Sequence, residues 1–200
     1  SLIAIVSAGF ICFLMKDFIF DTIIFGTKKM DFPTYKFLCQ AATFIGVETT
    51  FCGDEFPFIV QNRTMAGQFS AHVMTSIISG FIISFPYILY EFWKFISPGL
   101  LEKEKAKSRG FIFISSLLFF IGVLFGYYII SPLSINFLGT YQVSSQVLNE
   151  IDLGSFISLV RSSAIASGII FELPIIIYFL TKLEWLLQNL LLNTENMHWY

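Results

Sequence analysis

Two places in the sequence hold polar side chains whose types and spacing could do chemistry. The first is Glu172, an acidic residue inside the apolar run Phe171-Glu172-Leu173-Pro174. A charged side chain at the centre of a membrane span costs about 3 kcal/mol or more, so we expect this carboxyl to face protein or water. It could take up and release a proton, or it could hydrogen-bond a neighbouring helix in a structural role, and the sequence leaves both interpretations open.

The second place is a short loop, residues 94–110, in which aromatic residues precede alternating Glu and Lys. Glu102 and Glu104 could accept paired hydrogen bonds from the guanidinium groups of a bound peptide. Pro98 and Gly99 would fix the turn that presents these carboxylates. The alternative is an interfacial belt of aromatic residues beside solvated charges, an arrangement that is common at membrane surfaces.

The composition is that of a membrane protein. The 200-residue chain is 56% hydrophobic and 13% charged, whereas soluble domains carry about 25% charged residues. The longest uncharged run, Gly110 to Asn149, has 40 residues, which exceeds the need of a soluble core helix and suffices for a span. The net charge of −2 gives no indication of a nucleic-acid partner, because its distribution matters more here than its sum.

We predict an all-α fold, a polytopic transmembrane helical bundle, because lipid does not tolerate unpaired strand backbone. The predicted spans are residues 2–20, 71–93, 111–130 and 157–180. The connectors between them are residues 21–66, 94–110 and 132–155. Five of the twelve Lys and Arg residues lie in 94–110 and none lies in 132–155. The positive-inside rule therefore predicts that 94–110 and the N-terminus are cytoplasmic and that the other two connectors lie outside.

Cysteine and histidine residues are few. Cys39 and Cys52 share the first outer connector and could pair in an oxidising compartment, although the sequence also permits free thiols. Cys12 lies inside the first apolar run, as a small buried hydrophobe would. Two His residues do not support a metal site. The sequence shows no phosphate-binding glycine loop and no convincing nucleophile–base pair, so it does not favour an enzyme and predicts no cofactor.

Three blocks of the sequence resemble the TatC family, the large subunit of the twin-arginine protein translocase. The blocks are Phe85-Pro86-Tyr87-Ile88-Leu89-Tyr90-Glu91-Phe92-Trp93-Lys94-Phe95-Ile96-Ser97-Pro98-Gly99-Leu100, Phe119-Phe120-Ile121-Gly122-Val123-Leu124-Phe125-Gly126-Tyr127 and Gly168-Ile169-Ile170-Phe171-Glu172-Leu173-Pro174-Ile175. Residues 1–183 are accordingly predicted to form one TatC-like transmembrane domain, and the long first connector is similar to the expanded loop of Bacteroidetes-type members.

The resemblance implies six spans with both chain ends in the cytoplasm, of which about four are present here. It also implies recognition of signal peptides with paired arginines and export of folded proteins across the bacterial cytoplasmic membrane, driven by proton-motive force. By position, Glu104 looks like the glutamate that receives the arginines, and Phe95 and Pro98 look like neighbouring functional positions. Glu172 looks like the family's polar residue of the fourth span. The implied partners are TatA- and TatB-type single-span subunits, the lipid bilayer and further TatC copies.

A second function class also fits the residues. Glu172 could be the proton-coupling carboxylate of a secondary transporter for a small molecule. Crosslinking a peptide with paired arginines would separate this function from signal-peptide recognition. Only signal-peptide recognition requires the peptide to bind at the 94–105 loop.

The last residues, 184–200, depart from the family pattern. After Leu183 the family continues with Gly and a Thr-Pro-Glu turn, and a one-nucleotide shift of the reading frame would restore Gly-Met-Val-Thr-Pro-Glu at this point. We therefore expect a frameshifted tail. We also expect the natural chain to begin earlier, because Lys16 follows an apolar start too short for a full span.

Overall fold

The computed structural model describes residues 2–46, 52, 56, 58–96, 108–144 and 149–197. Its α-helices are α1 (Leu2–Leu14), α2 (Pro33–Ile45), α3 (Gly67–Ile96), α4 (Ser108–Phe125), α5 (Ser131–Thr140) and α6 (Leu153–Met197). A π-helical turn (Phe18–Ile24) and a 3₁₀ turn (Phe25–Lys28) lie between α1 and α2, and a second π-helical turn (Gly126–Ile130) joins α4 to α5. The described strands are β1 (Ile59–Gln61) and β2 (Glu150–Asp152).

Among the described residues, three helical stretches are long and apolar enough to cross a bilayer. They are Gly67–Phe95, Ile112–Thr140 and Leu153–Thr181, each of 29 residues. At about 1.5 Å per residue such a stretch is roughly 43 Å long, more than the ~30 Å of a hydrocarbon core. The short α1 counts as part of a fourth span only together with Phe18–Ile45, from which it is bent by 84°. The predicted α-helical membrane bundle is confirmed, and within the described residues the two short strands depart from it.

The connector predicted at 132–155 is wrong in its first part. The helix that begins as α4 continues through the second π-helical turn into α5 and ends only at Thr140. Pro132 stands in the first turn of α5, where a proline is well tolerated. Because proline has no N–H, the carbonyl of Tyr128, four residues earlier, lacks its helical donor. The hydroxyl of Thr34 in α2 donates to that carbonyl instead.

The connector predicted as a polar loop at 21–66 is also more ordered than expected, and Tyr35 of α2 holds it to the bundle. This side chain is fully buried, and its hydroxyl lies 3.0 Å from both the Thr27 and the Pro132 carbonyl oxygens. The ring packs edge-on against Phe56, with centroids 5.3 Å apart. Tyr35 therefore joins α2 to the 3₁₀ turn and to α5.

Three further links close this end of the molecule, which we call the strand end. Cys39 of α2 and Cys52 are joined by a disulfide bond, whereas Cys12 is free and buried. β1 and β2 pair in parallel, with Ile59 opposite Glu150. Arg63 and Glu150 form an ion pair with 3.1 Å between Nη2 and Oε2.

The strands also set where the following helices begin. Asp152, the last residue of β2, accepts a hydrogen bond from the Ser155 N–H at 3.2 Å. This is the arrangement of an N-cap, in which a carboxylate satisfies a backbone donor of the first helical turn. β1 leads into α3 and β2 directly into α6, so the pairing of the strands brings the starts of two spans together.

Glycines allow the spans to pack closely in two pairs. α1 meets α3 at Gly9 and Gly80, where a Cβ on Gly80 would lie 2.5 Å from the Gly9 nitrogen. α4 meets α6 at Gly122, and the π-helical turn that follows meets it at Gly126, where a Cβ would lie 2.3 Å from the Ser163 carbonyl oxygen. Small residues at such contacts let helix backbones approach and gain van der Waals contact, which drives association in lipid.

Phe119 connects the two pairs of helices. Its side chain is fully buried and stacks on Phe85 of α3, with centroids 3.6 Å apart. On its other side the ring covers Gly168 of α6, where an added Cβ would lie 2.8 Å from Phe119 Cε2. One aromatic side chain of α4 thus contacts both α3 and α6.

The α4–α6 contact predicts the effect of a single methyl group. We expect Gly126→Ala to lower the free energy of unfolding by about 1–3 kcal/mol, the usual cost of overpacking, because its Cβ would meet the α6 backbone. Denaturant titration of the protein reconstituted in lipid–detergent micelles measures this loss.

Gly110→Ala is the matched control on the same helix, since a Cβ there would meet nothing within 4 Å. It should leave stability unchanged or raise it by roughly 0.5–1 kcal/mol, the helical advantage of Ala over Gly. Equal effects of the two substitutions would contradict the close contact.

Candidate functional site

Glu172 lies inside the bundle and does not face lipid. Its side chain is 6% exposed although it stands within the span Leu153–Thr181. The Ser115 hydroxyl of α4 donates a hydrogen bond to Glu172 Oε2. Oε1 has no hydrogen-bond partner among the described residues. The carboxyl of Glu172 therefore makes a polar contact between α4 and α6.

Helix packing brings these two residues together. Gly122 and Gly126 lie about two and three helical turns beyond Ser115, on the face that meets α6, so the helices are in close contact on the side from which Ser115 reaches Glu172. A longer distance between the axes would exceed the reach of the short serine side chain. The Ser115–Glu172 hydrogen bond thus depends on the close helix contact that Gly122 and Gly126 allow.

Phenylalanine residues neighbour the pair along both helices. Phe119, one turn from Ser115 on α4, is fully buried, and Phe171, next to Glu172, lies 5.5 Å from Phe125 between ring centroids. At a carboxyl that is only 6% exposed, an unpaired polar atom is costly. The described residues around Glu172 form a packed helix interface that contains one hydrogen-bonded carboxyl. This carboxyl can bind a proton or take part in a hydrogen bond.

The pair lies toward the end of the bundle where α3 ends and α4 begins. Ser115 is three residues from the start of the stretch Ile112–Thr140, and Glu172 is nine residues before Thr181, or about 14 Å along the helix axis. Trp93 packs edge-on against Phe179 with centroids 6.0 Å apart. The last turn of α3 therefore lies beside α6, about one and a half to two turns beyond Glu172.

The predicted peptide-binding residues of the 94–110 loop are described only in part. Phe95, in the last turn of α3, is 85% exposed, so its ring is available to a ligand or to lipid. Pro98, Glu102 and Glu104 lie outside the described residues, which end at Ile96 and resume at Ser108. Their predicted roles remain predictions.

A second polar site, at the strand end, surrounds His72 of α3. The ring stacks on Phe13 with centroids 4.0 Å apart, and Nε2 lies 3.0 Å from the Phe13 carbonyl oxygen. Since a carbonyl only accepts hydrogen bonds, Nε2 is the protonated nitrogen and donates. His72 thus provides a donor at the C-terminal end of α1, where helix carbonyls lack helical donors.

A cavity of about 640 Å³ opens beside this histidine. Its polar lining includes Lys16, Asp17, Asp21 and Asn62, and apolar residues of α6 form its base. Glu172 does not line this cavity. The cavity beside His72 and the buried carboxyl of Glu172 are consequently separate features of the molecule.

The sequence did not reveal two of the residues that matter here. Ser115 was not distinguished from the other serines of the spans, because its partner is set by the packing of α4 on α6. Tyr35 was not distinguished from the other aromatic residues of the connector. Its place in an amphipathic segment, between Thr34 and Lys36, was a usable signal for a buried tyrosine whose hydroxyl makes a hydrogen bond.

Two adjacent serines test the Ser115–Glu172 contact. Ser115→Ala removes the donor to a buried carboxyl, and we expect a loss of about 1–3 kcal/mol in the free energy of unfolding. The Ser116 hydroxyl is buried without a described partner, so Ser116→Ala should be neutral or slightly stabilising. Denaturant titration of both variants in the same micelles measures the free energy of unfolding. An equal loss of this free energy in the two variants would contradict the contact.

The geometry can be compared with known proteins. A profile of the family described as "Sec-independent protein translocase protein (TatC)" matches residues 1–199. A TatC protein of Blattabacterium sp. subsp. Periplaneta americana is 45% identical over 185 residues, which are 92% of this chain and 70% of the relative. A TatC protein of Aquifex aeolicus is 41% identical over 113 residues, which are 55% of this chain and 46% of the relative.

Solved structures agree with these relatives. The structure described as "Crystal Structure of Twin Arginine Translocase Receptor- TatC" matches 90% of this chain and 69% of its own, with a TM-score of 0.66 and 27% identity. The same receptor in DDM matches 89% of this chain with a TM-score of 0.54 and 30% identity. The chain belongs to the TatC family of Sec-independent protein translocase proteins.

Proposed function

We propose that this chain is the signal-peptide-recognising membrane component of a twin-arginine translocation system, which exports folded proteins. The observation that carries the proposal is the likeness of its helices to the solved twin-arginine translocase receptor over 90% of the chain. The chain spans 46% of the Aquifex relative and 69% of the solved receptor, so the activity of a whole translocase is part of this proposal.

The charge pattern supports an orientation in the cytoplasmic membrane of a bacterium. The 94–110 loop carries five Lys and Arg residues, and the strand end lies at the opposite ends of α3 and α4. By the positive-inside rule the loop and the N-terminus are cytoplasmic and the strand end lies outside. A disulfide between Cys39 and Cys52 is compatible with that side, since disulfides persist in oxidising compartments.

The arginine-binding site is proposed on the cytoplasmic loop. Glu104, with Glu102 beside it, would accept charge-assisted hydrogen bonds from the two guanidinium groups. Phe95 and Pro98 would form the apolar edge of the site, and the 85% exposure of Phe95 supports this role. TatA- and TatB-type single-span subunits and further TatC copies are the proposed partners, and proton-motive force is the proposed source of energy.

A proton-coupled transporter of small molecules is the function that these observations do not favour. Such a transporter would hold its coupling carboxylate beside a substrate cavity near the middle of the membrane. Glu172 is instead buried and accepts a hydrogen bond from Ser115, and it does not line the cavity beside His72.

Photo-crosslinking tests the proposed site. A synthetic signal peptide with paired arginines and an adjacent benzoylphenylalanine is irradiated with the chain reconstituted in vesicles, and the adduct is quantified. Glu104→Ala should reduce the adduct about tenfold, because a hydrogen bond to a charged group is worth about 1.5–3 kcal/mol. Glu172→Ala, a change far from the loop surface, should not reduce it.

The peptide itself supplies the second control. A twin-lysine peptide cannot make the two parallel hydrogen bonds of a guanidinium group, so it should crosslink much less. Equal crosslinking of the two peptides, or no effect of Glu104→Ala, would contradict arginine recognition at this loop.

A further inference from the structure

The outward side of α2 is divided into an apolar stripe and a polar stripe. Pro33, Phe37, Ala41 and Phe44 recur every three or four residues and so share one face of the helix. Phe37 is 70% exposed and Phe44 is 93% exposed. A polar set shares the adjacent face, also with three- and four-residue spacing, and its members are exposed: Lys36, Gln40 and Thr43.

The remaining side of α2 is used for attachment to the bundle. Tyr35 and Ala42 are buried there, and Tyr35 bonds to the carbonyl of Pro132. Cys39, whose disulfide ties it to Cys52, lies between this side and the polar stripe. The attachments therefore leave the apolar stripe uncovered by any described residue.

The orientation of this segment is that of a helix lying along a membrane surface. The stretch Phe18–Ile45, which comprises the π-helical turn, the 3₁₀ turn and α2, is bent by 84° from α1. α1 packs along the spanning helix α3 through Gly9 and Gly80, so α1 follows the direction of the spans. A stretch at nearly a right angle to α1 runs close to the plane of the membrane.

The level at which α2 is attached coincides with the edge of the hydrocarbon core. Its contacts on the long span are the carbonyls of Tyr128 and Pro132. These residues lie 16 and 20 positions after Ile112, the first residue of the span, or about 24–30 Å along a helix axis. A hydrocarbon core is about 30 Å thick, so α2 begins where acyl chains give way to headgroups.

We propose that α2 is an interfacial helix whose Phe37 and Phe44 side chains insert into the lipid leaflet at the strand end. Its polar stripe faces water, and its buried side, fixed by Tyr35, holds it against the bundle. An amphipathic helix that lies in the interface buries its apolar face to about 5–10 Å in the headgroup and acyl boundary. This inference rests on the spans alone and does not depend on the proposed function.

Lipid is favoured over a protein partner for two reasons. The apolar stripe borders the polar stripe that contains Lys36, as expected at a boundary between acyl chains and water. The stripe also lies level with lipid-exposed side chains of the span itself, such as Ile129 and Leu133, which are 41% and 38% exposed. The lipid-facing surface therefore continues from the span onto α2.

The test replaces single residues by benzoylphenylalanine, a photo-crosslinker, in the full chain reconstituted in vesicles of phosphatidylethanolamine and phosphatidylglycerol. Position 44 lies in the apolar stripe and position 40 in the polar stripe of the same helix. Position 121, in the middle of α4 and 45% exposed, reports insertion into the bilayer. After irradiation, mass spectrometry measures the fraction of chains that gained one phospholipid.

The proposal predicts a phospholipid adduct at position 44 comparable to that at position 121, and several-fold less at position 40. Each variant is reconstituted in parallel with the position-121 variant under the same conditions. The adducts are compared when the position-121 variant forms its phospholipid adduct and the Cys39–Cys52 disulfide is intact in every variant. A position-44 product whose mass is that of two chains would overturn the proposal in favour of contact between copies. No lipid adduct at position 44, or equal adducts at positions 44 and 40, would overturn it as well.

Discussion

The close backbone contact between α4 and α6 is the constraint on which the rest of this bundle depends. In lipid the hydrophobic effect gives little reason for helices to associate, so close packing and interhelical hydrogen bonds must hold them. At Gly126 an added Cβ would lie 2.3 Å from the α6 backbone, and this closeness brings Ser115 within reach of Glu172. Because Phe119 is held against Gly168 by the same contact, it can also stack on Phe85 of α3.

A second constraint, the need to satisfy every backbone polar group, explains the strand end. Pro132 leaves the Tyr128 carbonyl without a helical donor, and α2 provides that donor from Thr34. His72 does the same for the carbonyl of Phe13 at the end of α1. The long connector is therefore part of the bundle, since it provides hydrogen bonds that lipid cannot provide.

The sequence predicted the class of fold because segments that contact lipid must be apolar and almost uncharged, and such segments are visible in the sequence. It placed the end of the third span too early, at residue 130, because a polar-looking continuation with Pro132 resembles a loop unless its hydrogen bonds are known. Glu172 was predicted as the unusual polar residue of its span, but its partner Ser115 depends on helix register and glycine contacts, which a single sequence does not encode locally. The loop glutamates Glu102 and Glu104 stay predictions from motif position.

The α4–α6 contact keeps Glu172 buried against Ser115. Dicyclohexylcarbodiimide dissolves in lipid and modifies protonated carboxyls that it can reach, so the fraction of Glu172 modified, read by mass spectrometry, reports access to this group. The native chain should remain largely unmodified at Glu172, and Gly126→Leu, which forces the helices apart, should raise the modified fraction several-fold over native and over Gly110→Leu. Rapid modification of the native chain, or no increase with Gly126→Leu, would contradict the account.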